Sequence, residues 1–460
     1  MNPVRQEFDP LIDRAPSRYI VGIDLGTTNS AVAYLDTQAA KPRITPLRIP
    51  QLVEPGVVEA RDSLPSFLYL PAAGEFPAEA LRLPWNGGEQ AEAVGAMARD
   101  YSGQLPGRTV SSAKSWLCHT SVDRTANLLP WHAAPELTRL SPASACGRYL
   151  RHLRAAWEHA FPQAPLAEQD VVLTLPASFD EIARELTVAA AAEAGLDRVV
   201  LLEEPQAAFY AWLARHEDDW QSRVAAGEKI LVCDIGGGTT DFTLIRVRRA
   251  GSDAESPVQF HRVAVGDHLI LGGQNLDLAL AHQLEQKFHG EEKLGPREFE
   301  TLLRTCRRAK ESLLGDAPPE VFTLSIPGRG SRLLGGARQV ELPRSEAEQV
   351  LLEGFFPLVP LGEKPQRRAS GFQEFGLPFA ADPAATRYLG AFLEAHRHAG
   401  SEPEAEAPRG SADAARPDIV LFNGGLFNSP QIKARLIAHL EACFRPADEP
   451  KWSPRVLEGE

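Results

Sequence analysis

Residues 229–247, KILVCDIGGGTTDFTLIRV, set two apolar runs on either side of a glycine-rich polar turn. A continuous apolar run reads as a buried strand ending at Asp234, and a second strand follows from Phe242 to Val247. Between them lie Gly236, Gly237, Gly238 and Thr239. Three glycines without side chains let backbone N–H groups approach an anion directly. A strand, a glycine turn and a strand form a hairpin whose tip can grip phosphate. This differs from a Walker loop, which needs a helix and a Gly-Lys-Ser/Thr ending. Asp234 and Asp241 flank the tip as candidate magnesium partners. The same order recurs at residues 19–35, YIVGIDLGTTNSAVAYL, with Asp24, Gly26, Thr27 and Thr28 at the turn. Two matching hairpins far apart in one chain predict two lobes of related build.

Other periodic stretches fill in an α/β pattern. Residues 64–70 read as an edge strand after a proline, and 91–99 as a helix. Residues 109–117 read as a mildly apolar helix start, and on its own Lys114 there reads as a solvated surface lysine. Helical spacing over 144–159 leads to a strand at 170–176. A helix over 179–194 stops at Gly195, and a strand over 199–202 follows. That strand ends in Glu203-Glu204-Pro205, and a helix carries residues 206–213. A carboxylate there can reach into a cleft, or can serve as a helix N-terminal acid stabilised by the dipole.

Composition narrows the function. At 460 residues the chain suits two or three domains. A formal net charge of -13 argues against general binding to nucleic acid or membrane surfaces. No run approaches a membrane span, and residues 1–18 read as a flexible arm without a leader pattern, which points to the cytoplasm. Five scattered cysteines without a Cys-x-x-Cys pair fit reduced structural thiols.

In order, the segments GIDLGTTNS, TLPASFDEIARELTVAAAAEAGLDRVVLLEEPQAAFYAWL, VCDIGGGTTDFTLI, LGGQNLDLALA, CRRAKESLL and DIVLFNGGLFNSPQIKARL resemble the heat-shock protein 70 (DnaK-type) family. The resemblance implies the actin-like ATPase fold, α/β with two βββαβα lobes around a nucleotide cleft. Lobe I would span 19–217 and lobe II 218–460, with an insertion at about 362–416. It also implies a slow ATPase whose nucleotide state controls a protein-folding partner domain, as in a stress-response chaperone. ATP and magnesium would be the cofactors, with potassium as a further candidate ion. The implied partners are ATP and ADP, a J-domain co-chaperone, a nucleotide exchange factor and unfolded client proteins.

Residue by residue, Asp24, Gly26, Thr27 and Thr28 look like the first phosphate loop, and Gly236, Gly237, Gly238 and Thr239 like the second. Asp24, Asp234 and Asp241 match outer-shell magnesium acids, Asp241 also ordering water. Lys114 matches the lysine at the γ-phosphate and attacking water, and Glu204 the acid that senses the magnesium-phosphate group. Pro176 and Arg184 match a proline switch and its arginine relay. Gly272, Gly273, Lys310, Gly424, Gly425 and Asn428 match the adenosine side.

This chain departs from the family there: Arg307 stands for an acid, Glu311 for a base or aliphatic residue, and Leu314 for a serine. Asn428 replaces a stacking arginine worth about 0.5–2 kcal/mol as a cation over a ring. Weaker or less base-selective nucleotide binding is the expectation. Residues 362–370 read as a surface loop and 400–416 as a low-complexity flexible loop. After a helix over 435–444 the family pattern continues with a strand, a returning helix, a leucine-rich linker and a peptide-holding β-sandwich. None is read up to Glu460, so the closure of lobe II is expected to be truncated or the peptide-binding part absent. Two other classes stay open: a nucleotide-gated scaffold with little hydrolysis, and an actin-like or sugar-kinase relative of the same fold.

Overall fold

The computed structural model describes residues 17–86, 92–119, 121–133, 136–249, 258–289, 294–326, 338–366, 377, 379–399, 413–445 and 452–457. Most of the predicted arm, the loop residues 367–376 and 400–412, and 458–460 lie outside the described residues.

Both predicted hairpins form, and each sits at the centre of its own sheet. In the first sheet, strand Tyr19–Leu25 pairs antiparallel with Asn29–Asp36 on one side and parallel with Asp170–Leu175 on the other, which in turn pairs parallel with Val199–Glu203. In the second, Lys229–Ile235 pairs antiparallel with Thr240–Arg249 and parallel with Ile419–Asn423, which pairs parallel with Arg455–Leu457. Thus the four strands around each hairpin follow one order and one set of directions. Arg455–Leu457 is a strand that the sequence reading did not anticipate after the helix, itself found at Pro430–Phe444. It takes in the second sheet the place that Val199–Glu203 takes in the first.

Strand burial follows from what covers each face. Along Tyr19–Leu25, Val21, Ile23 and Leu25 point into a core while Ile20 is exposed, the alternation of a strand with one wet face. Lys229–Ile235 is buried at every residue, as expected of a strand covered on both sides. One side holds Leu231, Cys233 and Ile235 with Leu280, Leu284 and Leu302. On the other, Ile230 and Val232 meet Phe209 and Trp212 of the helix Glu204–Arg215, so that helix, which follows the first sheet in sequence, packs on the second.

The helix Pro142–Ala160 starts at Ser141, whose side chain accepts from the Ser144 N–H, with Pro142 at its first position. Its Trp157 joins Tyr19, Tyr34 and Phe161 in an edge-to-face cluster that fastens the helix to the first hairpin. Each such ring pair adds about 0.5–1.5 kcal/mol beyond its buried area. The expected helix over 179–194 begins at Glu181, capped by Asp180.

Several local expectations change. Residues 64–70 form two short strands, Leu64–Pro65 and Leu68–Tyr69, in different sheets. They are broken at Ser66, whose N–H goes to the Thr28 carbonyl and whose hydroxyl goes to the Gly26 carbonyl. Ala93–Val94 is a strand, and the helix runs over Ala96–Ser102, because Gly95 at φ 102° separates the two. Thr109–Val110 is also a strand, leaving a four-residue helix at Ala113–Trp116.

The proposed insertion contains built structure. Helix Ala385–Ala395 packs Leu389 and Leu393 into the second core. At the end of the low-complexity segment, Ala415 is buried and the Ala414 carbonyl accepts from Lys229 Nζ, so 413–416 is anchored rather than loose. Leu377, by contrast, is buried in the core of the first sheet, while the nearby Ala380 N–H bonds to the Ile270 carbonyl beside the second. All five cysteines are free thiols, three of them buried.

Candidate functional site

The tips of the two hairpins face one another. A Cβ added to Gly237 would lie 2.2 Å from Thr28 Cγ2, and one added to Gly238 would lie 2.7 Å from Thr27 Cγ2. Contacts that close admit no side chain, so the glycines are demanded by the approach of the two turns. Behind them, the Gly236 carbonyl accepts from the Gly273 N–H at 3.0 Å and the Gly237 carbonyl from the Gln274 N–H at 2.7 Å. Since a trans peptide sets C=O and N–H on opposite sides, these bonds turn the N–H groups of Gly237 and Gly238 away from the helix Gly273–His289. Gly272 packs under the same turn, where a Cβ would sit 2.8 Å from the Gly236 carbonyl oxygen.

A cavity of about 670 Å³ opens between the turns. Of the expected phosphate and metal residues, its wall includes Asp24, Gly26, Thr27, Thr28, Lys114, Glu204, Asp234, Gly236, Gly237 and Thr239, drawn from both sheets. Gly273, Lys310, Gly424, Gly425 and Asn428 of the adenosine side line it too. Gly238, Gly272 and Asp241 stand behind the wall. Pro176 and Arg184 lie outside it, with Arg184 donating to the Phe179 carbonyl and to Glu203.

Lys114 is buried, against the surface reading. Ser112, in the left-handed region at φ 54°, turns the chain inward just before the short helix, and Lys114 Nζ donates to Glu204 Oε1. Burial works to lower the pKa of Lys114, but Glu204, Asp24 and Asp234 together outweigh it and hold the ammonium charged. Glu204 lines the cavity and also occupies the first position of its helix.

Asp234 lies well above the ordinary carboxylate range, first through burial and then through repulsion by Glu204, while Asn423 Nδ2 donates to it at 2.9 Å. Thr174, paired in register with Asp24, donates to Asp24 Oδ1 at 2.9 Å. Three carboxylates, Glu204, Asp24 and Asp234, thus gather near one ammonium. That excess of negative charge fits a divalent cation. Among the described residues no three acids, histidines or cysteines converge as direct ligands, so these residues fit magnesium held through its water shell.

On the side expected to take adenosine, the polar contacts centre on Asp277. Lys310 Nζ reaches Asp277 Oδ1 at 2.6 Å and the Gly273 carbonyl at 2.9 Å, and Arg307 Nε donates to Asp277 Oδ2 at 2.9 Å. Arg307, the departure noted in the sequence, therefore has a buried acid to answer it. Leu314 and Gly315 complete the wall. Gly424 adopts φ +94° with its Cβ position only 2.3 Å from the Ile235 carbonyl oxygen, so the second Gly-Gly turn also requires its glycine.

Sequence reasoning missed Thr174, Asn423 and Asp277, and also Ser178 and His268. Ser178 Oγ donates to Asp241 Oδ1 and lies 2.6 Å from His268 Nδ1. Burial works against a charge on His268, but its bonding to Asp241 and Cys118 lifts its pKa to about 10. Asn423 alone had a local signal, standing directly before the matched Gly424-Gly425 pair.

Comparison with known proteins agrees with this geometry. The family model for Hsp70 protein matches residues 102–325, which include Lys114, Glu204, the second hairpin and Lys310. The chain is 31% identical over 293 residues to chaperone protein HscA of Serratia proteamaculans, covering 61% of this chain and 40% of that protein. It is 30% identical over 345 residues to an HscA homolog of Acidithiobacillus ferrooxidans (73% and 47%), and 28% identical over 433 residues to HscA of an Enterobacter species (87% and 62%). The chain spans about half the length of the curated relatives it matches. No helix among the described residues is long and apolar enough to cross a membrane. With its motif order, its facing glycine turns and these matches, the chain belongs to the heat-shock protein 70 family and has its actin-like ATPase fold.

Proposed function

We propose that the chain binds ATP and hydrolyses it slowly to ADP and phosphate, as the nucleotide-controlled part of a molecular chaperone. The observation that carries this reading is the buried Lys114–Glu204 pair set between two glycine turns that face each other. We take 19–217 as lobe I and 218–460 as lobe II, with the insertion at about 362–416.

In this reading the N–H groups of the turns at Gly26–Thr28 and Gly236–Thr239 cradle the phosphate oxygens. Lys114, held charged by its acids, offsets charge on the γ-phosphate and orients the attacking water. Asp241 and Thr239 order that water, and Glu204 responds to the phosphate across the cleft. Magnesium, when bound with the nucleotide, neutralises phosphate charge, and Asp24, Asp234 and Asp241 would hold its waters. Attack is in line, with no covalent intermediate. Slow chemistry suits a timer for conformational change in a partner domain, with a J-domain protein and an exchange factor acting on it and unfolded proteins as clients. Gly272, Gly273, Lys310, Gly424, Gly425 and Asn428 contact the adenosine. Asn428, which lacks a planar cation, supports weak base selectivity.

Single-turnover phosphate release from ATP with magnesium and no acceptor tests the reading. Release lost in Lys114→Ala supports it, and release that requires an added hydroxyl acceptor would instead support a kinase. A nucleotide-gated scaffold is the second reading, favoured by the position of Asp241 behind the cavity wall; tight binding without release in either protein would establish it.

A further inference from the structure

Asp241 is buried in strand Thr240–Arg249, directly opposite Asp234 in the pairing register. Its carboxylate meets a side chain from the other half of the molecule: Ser178, in the turn that follows strand Asp170–Leu175. That turn is pinned on both sides. The Phe179 N–H bonds back to the Pro176 carbonyl, the Phe179 ring is buried, and Asp180 takes a two-pronged bond from Arg124 at 2.7 and 2.8 Å. His268, in the connection that follows strand Val258–Val265, brings Nδ1 within 2.6 Å of Ser178 Oγ and packs edge-on against Phe179, ring centroids 5.6 Å apart.

The proton count fixes the direction of these bonds. The single hydroxyl proton of Ser178 goes to Asp241 Oδ1, which accepts it. A lone pair of Ser178 Oγ then faces His268, and Nδ1 must carry a hydrogen to fill it. The chain runs from His268 Nδ1–H to Ser178 Oγ–H to Asp241 Oδ1, with Nδ1 itself 3.6 Å from that oxygen. It occupies one carboxylate oxygen of Asp241. Ser178 comes with the first sheet, whereas Asp241 and His268 come with the second, so this arrangement exists only while the two halves are together.

We propose that Ser178 and His268 are positioning residues that orient Asp241 across the interface. This inference rests on the ATP-hydrolysis reading and names two further residues that support the same site. A carboxylate turned by a few tens of degrees orders water poorly, and such misplacement costs rate rather than binding.

The test is single-turnover hydrolysis and equilibrium ATP binding by the full chain, with Lys114→Ala as the reference for lost chemistry. Ser178→Ala is expected to slow phosphate release by about 10-fold while the ATP dissociation constant stays within about twofold. Ser178→Thr, which restores a hydroxyl, should recover most of the rate. His268→Phe keeps the ring against Phe179 but loses the Nδ1 donor, and should slow release less than Ser178→Ala does. The double variant should be no slower than Ser178→Ala, because two members of one relay do not act independently. Rates within about twofold of wild type, independent multiplicative losses in the double variant, or parallel losses of rate and ATP affinity would each overturn the relay. Those results would leave the hydrolysis reading standing. Absence of release from the wild-type chain, in contrast, would remove that reading and the relay with it.

Discussion

Arg184 donates to Glu203 Oε1 at 3.0 Å, and Glu203 is the residue immediately before Glu204, the carboxylate that receives Lys114. Arg262, from the edge strand of the second sheet, pairs with the same Glu203. A half-exposed surface arginine is therefore two steps from the buried ammonium. Replacing Arg184 by Ala should leave ATP affinity within about twofold and slow single-turnover hydrolysis several-fold, because Glu203 then leans on Arg262 alone and carries Glu204 with it. Parallel nucleotide titration and phosphate-release assays measure both quantities.

Removal of the Lys114 ammonium should destabilise the nucleotide-free protein as well as stop hydrolysis. Lys114→Met keeps the stem but leaves Glu204 buried without its cation, and breaking a buried pair in this way costs about 3–5 kcal/mol. Chemical denaturation without nucleotide should show the loss, and a double variant, Lys114→Met with Glu204→Gln, should regain most of it.

Asp234→Asn should have the opposite effect on the empty protein. Burial and Glu204 both oppose the charge on Asp234, so its neutralisation should raise the melting temperature while lowering ATP affinity about 10-fold in magnesium. The difference should shrink when magnesium is chelated. Equal losses with and without the metal would mean that Asp234 has no part in holding it.

Two histidines predict acid sensitivity. His152, whose Nε2 lies 2.9 Å from the Pro50 carbonyl, is buried, and burial lowers its pKa from 6.5 to about 4; burial and Arg435 bring His439 to about 4 as well. Both are neutral when folded at pH values where the unfolded chain would protonate them. Neither penalises folding above about pH 6.5, and as pH falls toward 4 the stability lost grows to about 3 kcal/mol for His152. His152→Gln should flatten the pH dependence of unfolding over that window.

Leu377 offers a test of the insertion. It is buried in the first core, against which Phe379 also packs, while the Ala380 N–H bonds to the Ile270 carbonyl beside the second sheet. It also lines a cavity of about 850 Å³ that adjoins the nucleotide cleft at Gln274, Asp277, Arg307 and Glu311. Leu377→Ala should cost about 2–5 kcal/mol of stability and speed nucleotide release, measured with a fluorescent analogue.

The parts of this fold that were legible in the sequence are those written locally. Both hairpins combine an apolar run with a glycine turn in under twenty residues, and the helices announce themselves by spacing and by caps such as Ser141 and Asp180. Lys114 was misjudged from its own neighbourhood because its burial depends on the left-handed turn at Ser112 and on a partner 90 residues away. Arg307 with Asp277, and Ser178 with Asp241, are pairs whose members lie on separate elements, and no periodicity reports such a meeting. Arg455–Leu457 was missed for a related reason. Three residues carry no pattern, and they become a strand only through the register offered by Ile419–Leu421.

The repeated strand order gives the two halves one plan, with a glycine turn at the same place in each. An interface of that kind, left symmetric, could not tell one end of a long ligand from the other. Polarity enters through the elements that break the match: Lys114 and its short helix come from the first half alone, and the Lys310–Arg307–Asp277 cluster from the second alone. On the proposed reading, the elements that differ between the halves set the direction in which a nucleotide lies, while the shared frame sets only where it lies.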